Sequence, residues 1–186
     1  ITTGEGGMVL FKDPKKAYKA SILRDHGMSK ERRYWHDFIG YNYRLTNLQA
    51  SVGVAQFERL NHFIEAKRKL AETYNETLTK FNFFQTPIEK KNTFNSYWLY
   101  TFLVKDNSPF NREDLIDHLS TKGIESRPVF YPLHIMPPYQ KFGNEDGLKT
   151  SNMISKRGIS LPSAVNLSQL EAKHICKVIE GYIKTF

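Results

Sequence analysis

Two stretches of this 186-residue chain concentrate groups that could do chemistry. The first, GYNYRLTN at residues 40–47, packs two amides, two phenols, a guanidinium and a hydroxyl into eight residues at the start of a helical pattern. Helix N-termini favour anions, and Asn and Arg side chains can hydrogen-bond phosphate oxygens directly. An anion site therefore fits; a hydrogen-bonded loop with a helix cap fits the same residues somewhat better on chemistry alone. The second stretch is ESRPVFYPLHIMPPY, residues 125–139. Pro128, Pro132, Pro137 and Pro138 remove backbone freedom, so Arg127, Tyr131, His134 and Tyr139 are expected on a stiff loop. Functional groups concentrate on rigidly supported loops. A proline-braced surface loop with one buried histidine explains this stretch about as well. GEGG at residues 4–7 lacks both phosphate-loop patterns and reads as a turn. The six histidines show no HxxxH or HExxH spacing, and neither CxxC nor a GxSxG elbow occurs, so no metal site or nucleophilic hydrolase is expected.

The elements that must position these groups change type along the chain. Residues 1–12 read as the turn TTGEGG followed by a short apolar strand, MVLF. Asp13 and Pro14 supply an N-cap and an N1 proline for a helix over KKAYKASILRDH, which Gly27 stops. Residues 28–43, rich in aromatics, have no period and predict an ordered loop. A long helical pattern then starts at Thr46 or Asn47. Leu48, Val52, Ala55, Leu60, Phe63, Ile64, Leu70 and Tyr74 carry its apolar stripe to about residue 80, as one bent helix or two in series. FNFF opens a polar, loop-like run over 81–96, and YWLYTFLV (97–104) follows as a strand. Next come a helix over 111–123, capped by Asn111 and closed by Gly123, and a short strand at IESRPVF. SNMISKR predicts a helix stopped at Gly158 before a strand ended by Pro162. NLSQLEAKHICKVIEGYI predicts a last helix capped by Asn166 or Ser168. Such alternation describes an α/β or α+β domain over residues 81–186, after a first segment, 1–80, that ends in a long connecting helix.

Composition narrows the class. Forty per cent hydrophobic and 13% aromatic residues support a packed core rather than a disordered tail. The net charge of +8 could mark a nucleic-acid footprint, but the cations are scattered among 19 acids with only pairs such as Lys15-Lys16, Arg32-Arg33 and Lys90-Lys91. A solvated surface is the expectation, attraction to a small anion comes second, and no nucleic-acid partner is expected. No apolar run reaches the ~20 residues of a bilayer span, and no signal peptide is read after Ile1, so a cytoplasmic protein without membrane association is expected. The one cysteine, Cys176, suits a reducing compartment and falls on an apolar helical stripe, where a buried, packed thiol is expected.

Three segments together resemble the pyridoxal phosphate (PLP)-dependent aminotransferases that install an amino group on nucleotide-linked keto-sugars. ITTGEGGMV resembles the segment that follows the cofactor lysine in that family; HGMSKERRYWHDFIGYNYRLTNLQASVGVAQFERL resembles the loop and helix beyond it; GIESRPVFYPLHIMPPY resembles the substrate loop of the small domain. The RRYWH and SRPVFYPLHIMPPY wording is most similar to the GDP-perosamine synthase branch. The resemblance implies an α/β, fold type I architecture, with residues 1–80 the remainder of the large PLP domain and its connecting helix, and residues 81–186 the C-terminal small domain. It also implies a homodimer with shared active sites. Asn42 and Arg44 would bind the phosphate of the neighbouring subunit's cofactor, and Arg127, Tyr131 and His134 would face the nucleotide sugar. Tyr131 stands where the family often has His.

The implied reaction moves an amino group from glutamate through PLP to a 4-keto-6-deoxy sugar, in this branch GDP-4-keto-6-deoxymannose. The family's Schiff-base lysine lies a couple of residues before ITTGEGG. No lysine of this chain stands in that context, so that role is assigned to none of them and is expected just upstream of Ile1. A lysine-less, non-catalytic relative used in sensing or binding would share the same segments. Residues 1–80 are expected to leave apolar surface bare without the rest of a large domain. Expressed alone, residues 1–186 should therefore not behave as a soluble monomer with a cooperative thermal transition; calorimetry of that fragment checks this.

Overall fold

Four residues buried from end to end, Gly158–Leu161, form the strand around which the second half of the chain is organised. The computed structural model describes residues 1–143 and 147–186 and divides into two units, Ile1–Asn61 and His62–Phe186.

In the second unit, strands β1 (Phe84–Gln85), β2 (Tyr100–Val104), β3 (Arg127–Pro128) and β4 (Gly158–Leu161) form a sheet in the order β1-β2-β4-β3, with every pairing antiparallel. The fold is the mixed helix-and-sheet type expected from sequence. Helices α3 (Leu60–Leu78), α4 (Arg112–Thr121), α5 (Lys149–Arg157) and α6 (Gln169–Ile183) accompany the sheet. Alternation along β2 sends Tyr100, Phe102 and Val104 into the core. There they join Leu70, Tyr74 and Leu78 of α3, Leu115 and Leu119 of α4, and Ile175, Cys176 and Ile179 of α6. Cys176 is buried as expected, and burial pushes its thiol pKa upward.

Local signals set the helix ends. Asn111 caps α4 in a reciprocal box with Asp114, and Gly123, at φ +72°, turns the chain out of that helix. Ser168, rather than Asn166, caps α6 in a box with Glu171. The expected 97–104 strand is shorter at its start because Tyr97 takes a positive φ of 48°.

The long helical pattern is two helices in series: α2 (Asn47–Glu58), capped by Thr46, and α3, with Arg59 between them. The compact units part at 61/62, which puts nearly all of α3 in the second unit. The reason is the packing of α3. Tyr74 donates from its hydroxyl to Pro162 O at 2.8 Å, Tyr100 donates to Asn75 Oδ1 at 2.6 Å, and Thr73 donates to Gln169 Oε1 at 2.6 Å. These bonds fix α3 to β2, α6 and the end of β4.

The first unit is different in kind. Helix α1 (Pro14–Leu23) starts as expected, with Asp13 accepting from Lys15 N at 2.8 Å, but ends about a turn before Gly27. Met8–Phe11, expected as a strand, has no ladder partner among the described residues and its side chains are exposed, because no other strand of that unit is there to pair with it. Leu48 and Val52 of the apolar stripe are exposed as well. Ile22 is the one buried hydrophobic side chain of this unit among the described residues. The second unit therefore carries the chain's own core. In the full-length protein, Ile179→Ala, which empties a fully buried α6 position, is expected to lower unfolding stability by about 2–5 kcal/mol, measurable as a shift in the urea midpoint.

Candidate functional site

The GYNYR loop is held against the end of α1 by three main-chain hydrogen bonds. Tyr41 N donates to Leu23 O at 2.8 Å, Tyr43 N to Arg24 O at 2.8 Å, and His26 N to Tyr41 O at 2.9 Å. Asp25 and Asn42 face each other in an antiparallel bridge. This approach requires two glycines. A Cβ on Gly27, whose φ is +71°, would lie 1.8 Å from Phe38 O, and one on Gly40 would lie 2.2 Å from Gly27 N. Gly27, expected from sequence as a helix stop, thus has a second use, the close passage of residues 38–40.

This clamp presents Asn42 and Arg44 on an exposed edge. Arg44 Nε lies 3.3 Å from Asp25 Oδ1, an ion pair rather than an aligned hydrogen bond. That oxygen is shielded from solvent and has no hydrogen bond of its own. Both terminal nitrogens of Arg44 remain uncommitted among the described residues, on a side chain that is 54% exposed. A guanidinium steered through Nε, with both Nη groups open, suits a phosphate. Tyr41 and Tyr43 stack at 5.2 Å beside it. The preceding loop is stiffened by Trp35, which donates from Nε1 to Asp37 at 3.0 Å and lies under the Arg32 guanidinium, 4.4 Å from its ring centroid.

Arg127, Tyr131 and His134 lie in the second unit, along one continuous segment leaving the sheet edge. Arg127 and Pro128 pair with Ser160 and Ile159, and Val129 N donates to Gly158 O at 3.0 Å. The prolines then lead into a 3₁₀ turn, Leu133–Ile135. Arg127 is not free: its Nε and Nη2 donate to Glu125 Oε1 at 3.0 and 2.8 Å. Both partners are largely exposed, so the pair holds little energy and an incoming anion can compete for the guanidinium. Tyr131 is exposed. His134 is half-buried, and its Nε2 is shielded without a hydrogen-bond partner among the described residues. A shielded, unpaired ring nitrogen is costly unless a ligand or water completes it. Of the sequence-read residues, the structure thus presents Asn42 with Arg44 on one loop, and Arg127, Tyr131 and His134 on another.

Residues 1–180 match the DegT/DnrJ/EryC1/StrS aminotransferase family. The chain belongs to that family. GDP-perosamine synthase from Vibrio cholerae is 41% identical over 98% of this chain and 49% of its own length. The enzyme of that name from Escherichia coli O157:H7 is 39% identical over 98% and 48%. The chain spans about half the length of these curated relatives. An aminotransferase from Psychrobacter cryohalolentis superposes with a TM-score of 0.88 at 21% identity, covering all of this chain and 53% of that one. The fold is therefore that of the fold type I, PLP-dependent sugar aminotransferases.

Gly40→Ala should break the main-chain clamp, because its Cβ meets backbone rather than a flexible side chain. In the full-length protein, weakened binding of phosphate-bearing ligands with an overpacking cost of about 1–3 kcal/mol is expected, read by titration and thermal melts.

Proposed function

We propose that the intact protein is a PLP-dependent nucleotide-sugar aminotransferase that moves an amino group from glutamate to GDP-4-keto-6-deoxymannose, giving GDP-perosamine. Family membership supports the reaction class, and similarity to the two GDP-perosamine synthases supports the sugar. The single observation that carries the reading is the clamped GYNYR loop, with the two terminal nitrogens of Arg44 uncommitted beside Asn42.

On this reading, residues 1–80 complete a large domain whose remainder precedes them, and residues 81–186 are the small domain. The cofactor lysine lies just upstream of Ile1. The working form is a cytoplasmic homodimer, in which Asn42 and Arg44 bind the phosphate of the cofactor belonging to the other subunit. When bound, PLP supplies the electron sink that lets a proton leave the carbon bearing nitrogen. This chain's residues do the holding. Arg44, steered by Asp25, gives two N–H donors to phosphate oxygens, and Asn42 adds its carboxamide. Arg127 exchanges Glu125 for the sugar diphosphate, which can accept a bidentate contact. Tyr131 offers a hydroxyl to the sugar nucleotide. His134 faces the sugar from the same proline-braced segment. A site that hydrogen-bonds particular hydroxyls rejects sugars lacking them far better than one relying on shape.

The full-length protein, given glutamate and a panel of keto-sugar nucleotides, should form 2-oxoglutarate fastest with the GDP-linked 4-keto sugar. Preference for a UDP- or dTDP-sugar would remove the perosamine assignment while leaving the aminotransferase reading intact.

A further inference from the structure

Two glutamines stand on the side of α2 that is half-buried, beside Ala50 and Gly53. Gln49, Gly53, Gln56 and Leu60, spaced four, three and four apart, fall on one side of the helical path and are half-buried, while Leu48, Val52, Val54 and Phe57 are exposed. What covers the first three is the ITTGEGG turn of the same unit. Gln56 Oε1 accepts from Thr2 N at 3.3 Å, and Gln49 Nε2 donates to Glu5 O at 3.2 Å. Between them, a Cβ on Gly53 would lie 3.0 Å from the Thr3 methyl, so the absence of a side chain there lets the turn approach. Inside the turn, Thr3 Oγ1 donates to Glu5 O at 2.7 Å and Gly4 N donates to Thr2 Oγ1 at 3.0 Å.

Gln49 uses both ends of its amide. Its Oε1 accepts from Thr46 N and from Thr46 Oγ1, each at 3.0 Å, closing the capping box of α2. Its Nε2 is spent on the turn. One side chain therefore ties the ITTGEGG turn to the residue where the GYNYR loop enters its helix.

We infer that α2 is a clamp on the ITTGEGG turn and that Gln49 and Gln56 are positioning residues for the cofactor lysine that precedes it. The placement of that lysine rests on the proposed function; the clamp itself rests on the hydrogen bonds above. Two amides about two helical turns apart hold the turn at Thr2 and at Glu5. Neither amide touches the reacting atoms. Their effect is on where the lysine amine stands, and a misplacement of about 1 Å in such a group can cost a hundredfold in rate.

The chemistry of Gln49 separates its two duties. Gln49→Glu keeps the acceptor that the capping box needs, since Glu is a normal residue at that position, but removes the N–H donor and sets a carboxylate against the Glu5 carbonyl. In the full-length protein, Gln49→Glu should leave the thermal midpoint close to wild type. It should raise deuterium uptake over residues 1–7, shift the pH midpoint of the bound cofactor's visible absorbance, and lower kcat by roughly tenfold to a hundredfold with little change in KM for the sugar. Gln56→Leu should produce the same pattern, and Gln56→Glu, which retains the acceptor for Thr2 N–H, should restore it toward wild type. Wild-type exchange over residues 1–7 and an unchanged absorbance profile in Gln49→Glu would overturn the clamp. A wild-type protein that binds no PLP would instead overturn the aminotransferase reading, and with it the lysine's placement, while the exchange data would still judge the clamp.

Discussion

What the first unit can offer a ligand depends on the backbone contact between Gly27 and Gly40. Neither residue could carry a Cβ without striking main chain, and only their absence of side chains lets residues 40–43 lie along the last turn of α1. The contact replaces a core. Ile22 is the unit's one buried hydrophobic side chain among the described residues, so hydrogen bonds and close backbone approach do the shaping that apolar packing does in the second unit. Directional bonds fix orientation better than non-directional burial does, and orientation is what Asn42 and Arg44 need if they are to meet a phosphate.

The apolar core lies in the second unit. In the second, α3, α4 and α6 bury a continuous aromatic and aliphatic cluster with β2 and β4, and burial pushes the Tyr74 and Tyr100 hydroxyls far above their ordinary pKa. Those phenols are structural: each donates one hydrogen bond that ties α3 to its neighbours. The proline-braced segment that carries Arg127, Tyr131 and His134 grows out of the edge of this rigid sheet, and Gly158 makes room for Val129 at its root. Its polar groups inherit their placement from a core they take no part in.

Much of this was legible in the residues because the signals are local. Asp13-Pro14, Asn111, Gly123, Gly158 and Pro162 each act within a few positions of themselves, and each marks an element boundary close to where the structure has it. What the residues alone left open depends on distant partners. Periodicity showed that 60–78 is helical but not that its apolar face belongs to the sheet. MVLF carries a strand's composition without a neighbouring strand in its unit. Asp25 read as part of a helix, and its role toward Arg44 appears only once the loop folds back. Nothing local to Gln49 marks its second partner, Glu5, which is 44 positions away. The phosphate assignment of Asn42 and Arg44 came from family resemblance; the residues by themselves favoured a hydrogen-bonded loop with a helix cap, and Thr46 does form that cap.

The central claim is that the GYNYR loop grips a phosphate through Arg44. Its most direct test compares the affinity of the full-length protein for PLP with its affinity for pyridoxal, which lacks the phosphate, in wild type and in Arg44→Ala. The account predicts a strong wild-type preference for PLP that Arg44→Ala largely abolishes while leaving pyridoxal affinity unchanged. If Arg44→Ala kept the preference, or weakened both ligands alike, the loop would not be the phosphate site.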